Sequence, residues 1–176
     1  MEVLTAVGFV RYLVLLVIEL KTRRVHIAGI TRRADGAWMA QVARNLSDAA
    51  AGPLRGFRYL IVDRDPLYTS QFKQLLTTAN VDLLRLPARS PNLNAYAERL
   101  VRSIRQECLR HVIPLAERHL RTTVDEFVEH YHSERNHQGL GNVIPFPTRS
   151  SQRATGAVFR HEKLGGSLKF YERQSV

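Results

Sequence analysis

Residues 57–86 constrain the fold more than any other stretch. Phe57 to Val62, apolar but for Arg58, reads as a strand, Asp65-Pro66 marks a polar turn, and Ser70 to Ala79 sets Phe72, Leu75 and Leu76 at helical spacing. Val81 to Leu86 reads as a second strand, ended by Pro87. Strand, helix and strand in so short a span predict two parallel strands joined by a crossover helix. The pattern extends to both sides. Asp35 or Gly36 opens a helix to about Ala51, with Trp38, Val42 and Leu46 on one face and Gly52-Pro53 as its stop. Another helix starts near Ala95, so the order after residue 35 is α-β-α-β-α, that of a layered α/β domain.

Upstream, Arg11 to Leu20 and Arg24 to Thr31 are rich in branched apolar residues and separated only by Lys21-Thr22-Arg23, which predicts a hairpin. Met1 to Thr5 reads as a further strand leading into a turn at Gly8. Downstream, helices are expected over about Ala95 to Val112 and Ala116 to Glu134, the second with Leu120, Val124, Phe127, Val128 and Tyr131 on one face. From Asn142 the chain becomes irregular, with a short hairpin expected around Leu164-Gly165-Gly166-Ser167 between Val158-Phe159 and Phe170-Tyr171. The expected organisation is a core over 1–142 and a basic tail over 143–176.

Charge narrows the partners. Lys and Arg number 26 against 16 Asp and Glu, a net charge of +10 that favours phosphate-rich partners. The longest apolar stretch, around Tyr12 to Ile18, is far short of the ~20 residues of a spanning helix, so a membrane partner is not expected. A lone cysteine, Cys108, excludes an internal disulfide and fits a reducing, cytoplasmic setting. It falls on the apolar stripe of its helix, where packing is its expected role.

Two carboxylates stand out. Asp63 ends the apolar run Leu60-Ile61-Val62, where ligand sites form at the carboxyl edge of parallel strands. Glu98 follows with 34 residues between them, in the opening turns of a helix that carries Arg102 and Arg105 within about 40° of it. Glu98 with Arg102 could instead be an ordinary i,i+4 surface ion pair. Asp65, beside Pro66, reads as a turn residue. Hard oxygen donors from two separate elements suit Mg²⁺ or Mn²⁺. His130, His132 and His137 cluster near Glu134, but their spacing and the lack of a companion cysteine favour structural or DNA-facing roles over zinc. Lys21, Arg23, Arg24, Arg32 and Arg33 could contact phosphates or form a solvated basic rim.

Three fragments carry a family resemblance: Val-Asp-Arg-Asp-Pro-Leu-Tyr-Thr-Ser at 62–70, Asn-Ala-Tyr-Ala-Glu-Arg at 94–99 with Arg105 and Glu107 following, and Tyr-His-Ser-Glu-Arg-Asn-His-Gln-Gly-Leu at 131–140. In order and acidic spacing the chain resembles the catalytic core of the retroviral integrase superfamily, as found in bacterial insertion-sequence transposases. The resemblance implies an RNase H-like fold: a mixed five-stranded sheet with helices on both faces, followed here by two C-terminal helices and an irregular tail. It implies a DDE phosphoryl-transfer site with two Mg²⁺ or Mn²⁺ ions, in which Asp63 is the second acid and Glu98 the third. Arg102, Arg105, Arg64, Arg89 and Asn94 become candidate DNA contacts, with Asn94 also shaping the turn before the catalytic helix. The family's first acid falls on the first strand, ahead of Met1, and neither Glu2 nor Glu19 matches its position. The expectation is therefore a transposase fragment with a truncated first strand, inactive alone. Its alternative is a catalytically dead module that binds DNA or pairs with intact transposase. Self-association is expected from the resemblance.

Overall fold

A computed structural model describes residues 1–5, 8–87, 94–137, 141, 143–147 and 156–173. It is mixed α/β and divides into two units. Hydrogen bonding among the described residues joins the strands in four pairs. The expected alternation of strands and helices is present; a single five-stranded sheet is a finer arrangement than these pairings draw.

The first unit comprises Met1, Arg11–Val17 and His26–Glu98. It holds most of β3 (Leu13–Ile18) and β4 (Val25–Thr31), which pair with each other, then α1 (Gly36–Leu46), β5 (Tyr59–Val62), α2 (Ser70–Thr78) and β6 (Asp82–Arg85). Both helices begin at side-chain caps, which satisfy otherwise orphaned N–H groups. Asp35 Oδ1 accepts from the Trp38 N–H at 2.9 Å, and Thr69 Oγ1 from the Phe72 N–H at 3.2 Å. Helix α1 ends five residues before the expected Ala51. There the Asp48 carboxylate accepts from the Ala50 and Ala51 N–H groups, diverting the backbone into a turn. Met39, Val42 and Leu46 of α1 pack with Leu60 and Val62 of β5 and Phe72 and Leu76 of α2; Leu15, Val17 and Ala28 close over the same core. Gly29 is required where β4 meets α1, because a Cβ there would lie 2.7 Å from the Trp38 ring.

The crossover is as the pattern predicts. β5 and β6 run parallel, with Tyr59 opposite Asp82 and Val62 opposite Arg85. β5 is nevertheless not buried on both faces. Leu60 and Val62 face the core, while Ile61 (43% exposed) and its cross-strand neighbour Leu84 (44%) lie open. Strand residues alternate faces, and only one face of this pair is covered by the core.

The second unit comprises Glu2–Val10, Ile18–Val25 and Arg99–Val176. β1 (Glu2–Thr5) pairs with β2 (Gly8–Arg11), and the Leu4 N–H donates to the Pro114 carbonyl at 2.8 Å. The helix starting at Ala95 does not run evenly to Val112. It is α-helical over Ala95–Ser103 (α3) and continues as a π-helical turn over Ile104–Leu109. That turn packs on α4 (Glu117–Ser133), burying Ile104 and Cys108 beside Leu120, Val124 and Phe127. The Cys108 thiol sits 3.7 Å from the Thr123 carbonyl, and burial, with help from Glu126, pushes its pKa up to about 12. Cys108 is a packing residue, as its place on the stripe implied.

Polar residues of 131–137 and their neighbours bind this unit together. His132 Nε2 accepts from the Val25 N–H at 2.7 Å, and His137 Nε2 donates to the Tyr131 carbonyl at 2.8 Å. The His137 ring also meets Tyr131 edge-on at 4.3 Å, and Phe146 packs edge-on against His132 at 5.4 Å. Arg135 pairs with Glu107 at 2.7 Å. In the tail, where a short hairpin is expected around Leu164–Ser167, β7 (Val158–Lys163) and β8 (Leu168–Arg173) pair antiparallel. Leu164, Gly165 and Gly166 all take positive φ in its turn, which two glycines permit at little cost. Lys163 ties the hairpin to α4 through Glu134 at 2.8 Å and Glu129 at 3.2 Å. Glu134 also bonds His130 Nδ1 at 2.8 Å, and Phe170 lies 6.4 Å from the His130 ring.

Two outcomes follow from this packing. Among the described residues, the fully buried Thr123 hydroxyl has no hydrogen-bond partner. Thr123→Val should therefore hold or raise stability, by up to about 1 kcal/mol in denaturant unfolding; a clear loss would show that the hydroxyl is bonded. Burial, aided by Arg135 and Arg23, lowers the His137 pKa despite the hydrogen bond to Tyr131. The unfolded chain then takes up a proton at a pH where the folded chain does not, so this stability is present above the ordinary histidine range and is lost as pH falls through it. The melting temperature should drop between about pH 7.5 and 5.5, and His137→Gln should flatten that slope. Equal slopes in both proteins would exclude His137 as the source.

Candidate nucleic-acid and metal site

The carboxyl edge of the β5–β6 pair is built by short-range hydrogen bonding. Asp63 leaves β5 on the same alternation as Tyr59 and Ile61, and so lies exposed. It is not at a buried rim, and the desolvation cost expected for an acid at the edge of a core does not arise. Asp63 Oδ1 accepts from the Asp65 N–H at 3.1 Å, and Asp65 Oδ1 from the Leu67 N–H at 2.9 Å. Both acids thus hold the same turn, each through one oxygen, and Asp65 has the turn role its proline neighbour suggested. Tyr68 lies within reach of their field. Burial first, then the Asp63 and Asp65 charges, push its phenol up to about 12, so it remains a neutral hydrogen-bond donor.

Basic groups brace this edge. Arg64 Nε donates to the Leu86 carbonyl at 3.1 Å, tying the residue after Asp63 to the end of β6. Arg85 Nη2 donates to the Tyr68 carbonyl at 2.6 Å. Arg64 remains exposed but one donor is committed to the backbone, a structural duty that its sequence position did not advertise.

Glu98 stands exposed in the first turn of α3, in the same unit as Asp63. Among the described residues no hydrogen bond or ion pair holds its carboxylate, and the i,i+4 pair with Arg102 does not form. An acid in the first turn is stabilised by the helix dipole. Arg102 follows one turn later and is exposed. Arg105 is also exposed but sits inside the π-helical turn, whose wider winding shifts it from the line that an ideal α-helix would give. Asn94 immediately precedes α3 and is half-buried; Arg89 lies outside the described residues.

The remaining candidates separate into two groups. Arg23, 9% exposed, takes positive φ and donates to the Leu20 carbonyl; Arg24 stacks over Phe146 at 4.3 Å. These two serve the fold, a role that charge counting could not distinguish from a basic rim. Arg32 and Arg33 are exposed, Arg33 lying 3.8 Å from Asp35. His130, His132 and His137 each make a hydrogen bond within the second unit.

For a divalent metal, Asp63 and Glu98 offer hard oxygen donors of the right kind. Among the described residues, no group of three or more His, Cys, Asp or Glu side chains is arranged to hold one. Nor does any described helix have the length and apolarity to cross a membrane.

Residues 79–145 match the family described as Integrase core domain, a span containing Glu98, Arg102, Arg105 and the described part of 131–140. No curated protein matches the chain. The family match points to a function of transposase or integrase type and hence to DNA as partner. By that match, residues 79–145 of this chain are similar to an integrase core domain.

Proposed function

We propose that this chain is a DNA-acting core of the transposase and integrase type, with an RNase H-like arrangement of its strands. In this reading Asp63 and Glu98 are two acids of a DDE phosphoryl-transfer site. The observation that carries it is Glu98: it lies within the integrase-core match, is exposed, and has no partner among the described residues to explain it. Asp63 supports it from the carboxyl edge of a parallel strand pair. Integrase cores generally use divalent metals; here Asp63 and Glu98 would hold Mg²⁺ or Mn²⁺, which when bound stabilises charge on phosphoryl oxygens. Arg102, Arg105, Arg64, Arg89 and Asn94 would grip the DNA backbone, with the excess of basic residues steering it in.

A second reading is a DNA-binding or transposase-pairing module without catalysis. It draws on the acid count, since the resemblance assigns two residues of this chain where the family uses three. Either way the chain should bind duplex DNA, with affinity falling at least about tenfold between 50 and 200 mM salt. Arg102→Ala and Arg105→Ala should each reduce the salt slope by about one. Glu98→Gln should weaken Mn²⁺ binding in calorimetry while leaving the melting temperature unchanged; a collapsed fold with Mn²⁺ binding intact would make Glu98 structural. The 176-residue chain alone is expected to give no Mn²⁺-dependent strand transfer, and robust transfer would refute the two-acid argument.

A further inference from the structure

The β7–β8 hairpin has two unlike faces. Register places Phe159, His161 and Lys163 opposite Glu172, Phe170 and Leu168, and places Val158, Arg160 and Glu162 opposite Arg173, Tyr171 and Lys169. Because strand side chains alternate, each set of directly opposed pairs shares one face. The first face is the docked one: Leu168 is 2% exposed, Lys163 reaches Glu134 and Glu129 on α4, and Phe170 lies near His130. The second face is turned away from α4. Tyr171 stands at its centre and is 67% exposed.

The surroundings of Tyr171 are basic. Arg160 lies directly across from it, and Lys169 and Arg173 flank it two residues away on its own strand. All three are exposed. The one acid of this face, Glu162, pairs with Arg160 at 2.9 Å in an exposed contact, of a kind that contributes little and that a phosphate can displace. An aromatic ring presented to solvent and ringed by three cations has no packing role within the hairpin. It does combine the two elements that hold an unpaired nucleic-acid strand: a platform for base stacking and cations for the adjoining phosphates. A base pair within an intact duplex offers no free face to stack on, so the arrangement selects single-stranded over duplex DNA.

We propose that the outer face of the β7–β8 hairpin is a binding site for single-stranded DNA, with Tyr171 stacking on an unpaired base while Arg160, Lys169 and Arg173 hold neighbouring phosphates. This rests on DNA being the partner of the chain, and adds a site separate from Asp63 and Glu98. The rigid tie from Lys163 to Glu134 fixes the platform on α4, so the bound strand meets a prebuilt surface rather than ordering one.

The test uses the full chain and two labelled probes in fluorescence anisotropy: an oligothymidine of about 16 nucleotides and a duplex of the same length. The wild-type chain should bind both. Tyr171→Ala should lose at least about fivefold in affinity for the single strand, the equivalent of one stacking contact, with duplex affinity little changed. Tyr171→Phe, which keeps the ring, should retain single-strand binding. Arg160→Ala combined with Arg173→Ala should lower the salt slope for the single strand by about one to two. Near-identical thermal melts for these variants should accompany the result, since all three positions are exposed. If duplex binding is present but Tyr171→Ala leaves single-strand affinity intact, or the wild-type chain ignores the single strand, this inference fails alone. If neither probe binds, the DNA reading fails and takes it along.

Discussion

Parallel pairing of β5 with β6 makes both strands leave the sheet on the same side, and the first unit is organised around that constraint. Helix α2 must cross from the end of one strand to the start of the other, which places its Phe72 and Leu76 against α1 and the strand pair. The two chain exits then lie close enough for main-chain and side-chain bonds to lock them. The Leu86 N–H donates to the Val62 carbonyl at 2.9 Å, and the Arg64 side chain returns the bond to the Leu86 carbonyl. Asp63 sits between these two attachments. Its position follows from backbone pairing and a turn of its own making, with no need for a buried charge.

Much of this was legible in residue order. Helical spacing of Phe72 and Leu76, the Pro87 stop and the short polar turn at Asp65-Pro66 defined the crossover, because local periodicity and turn chemistry decide such elements. Face coverage was not legible. An apolar run such as Tyr59 to Val62 reads as buried throughout, yet whether its second face is covered depends on distant elements that a local pattern does not encode. The end of α1 was misjudged for a different reason: the Ala-rich segment 49–51 has high helix propensity, and the Asp48 side chain captured its N–H groups instead. The role of Glu98 was half visible. Its helix placement came from the pattern, but the unformed pair with Arg102 needed coordinates.

The segment 131–137 shows how a polar motif can be misread as chemistry. Two histidines, a glutamate and an arginine in seven positions, with His130 just before them, invite a catalytic or metal interpretation. In the structure His132 is an acceptor for the turn at Val25, His137 a donor to its own helix end, and Glu134 a junction between His130 and Lys163. Long-range contacts assign these duties, and the fourfold spacing of His130 and Glu134 was the only local hint. The unit thus uses hydrogen-bonded polar side chains where a larger core would use aliphatic packing.

The π-helical turn at Ile104–Leu109 carries a consequence for which changes this chain can tolerate. An i→i+5 turn is an α-helical turn that has absorbed an additional residue. Deleting one residue there would remove the surplus and restore regular winding with the segments on either side near their present phase, whereas a deletion in the α-helical stretch before it would turn what precedes by roughly 100° about the helix axis. With the turn shortened, Leu100 and Ser103 would keep their buried face. Tolerance of a lost codon is therefore uneven along one helix: it is greatest in this turn, where the surplus residue lies, and least in Ala95–Ser103, where a loss would put the two halves out of step.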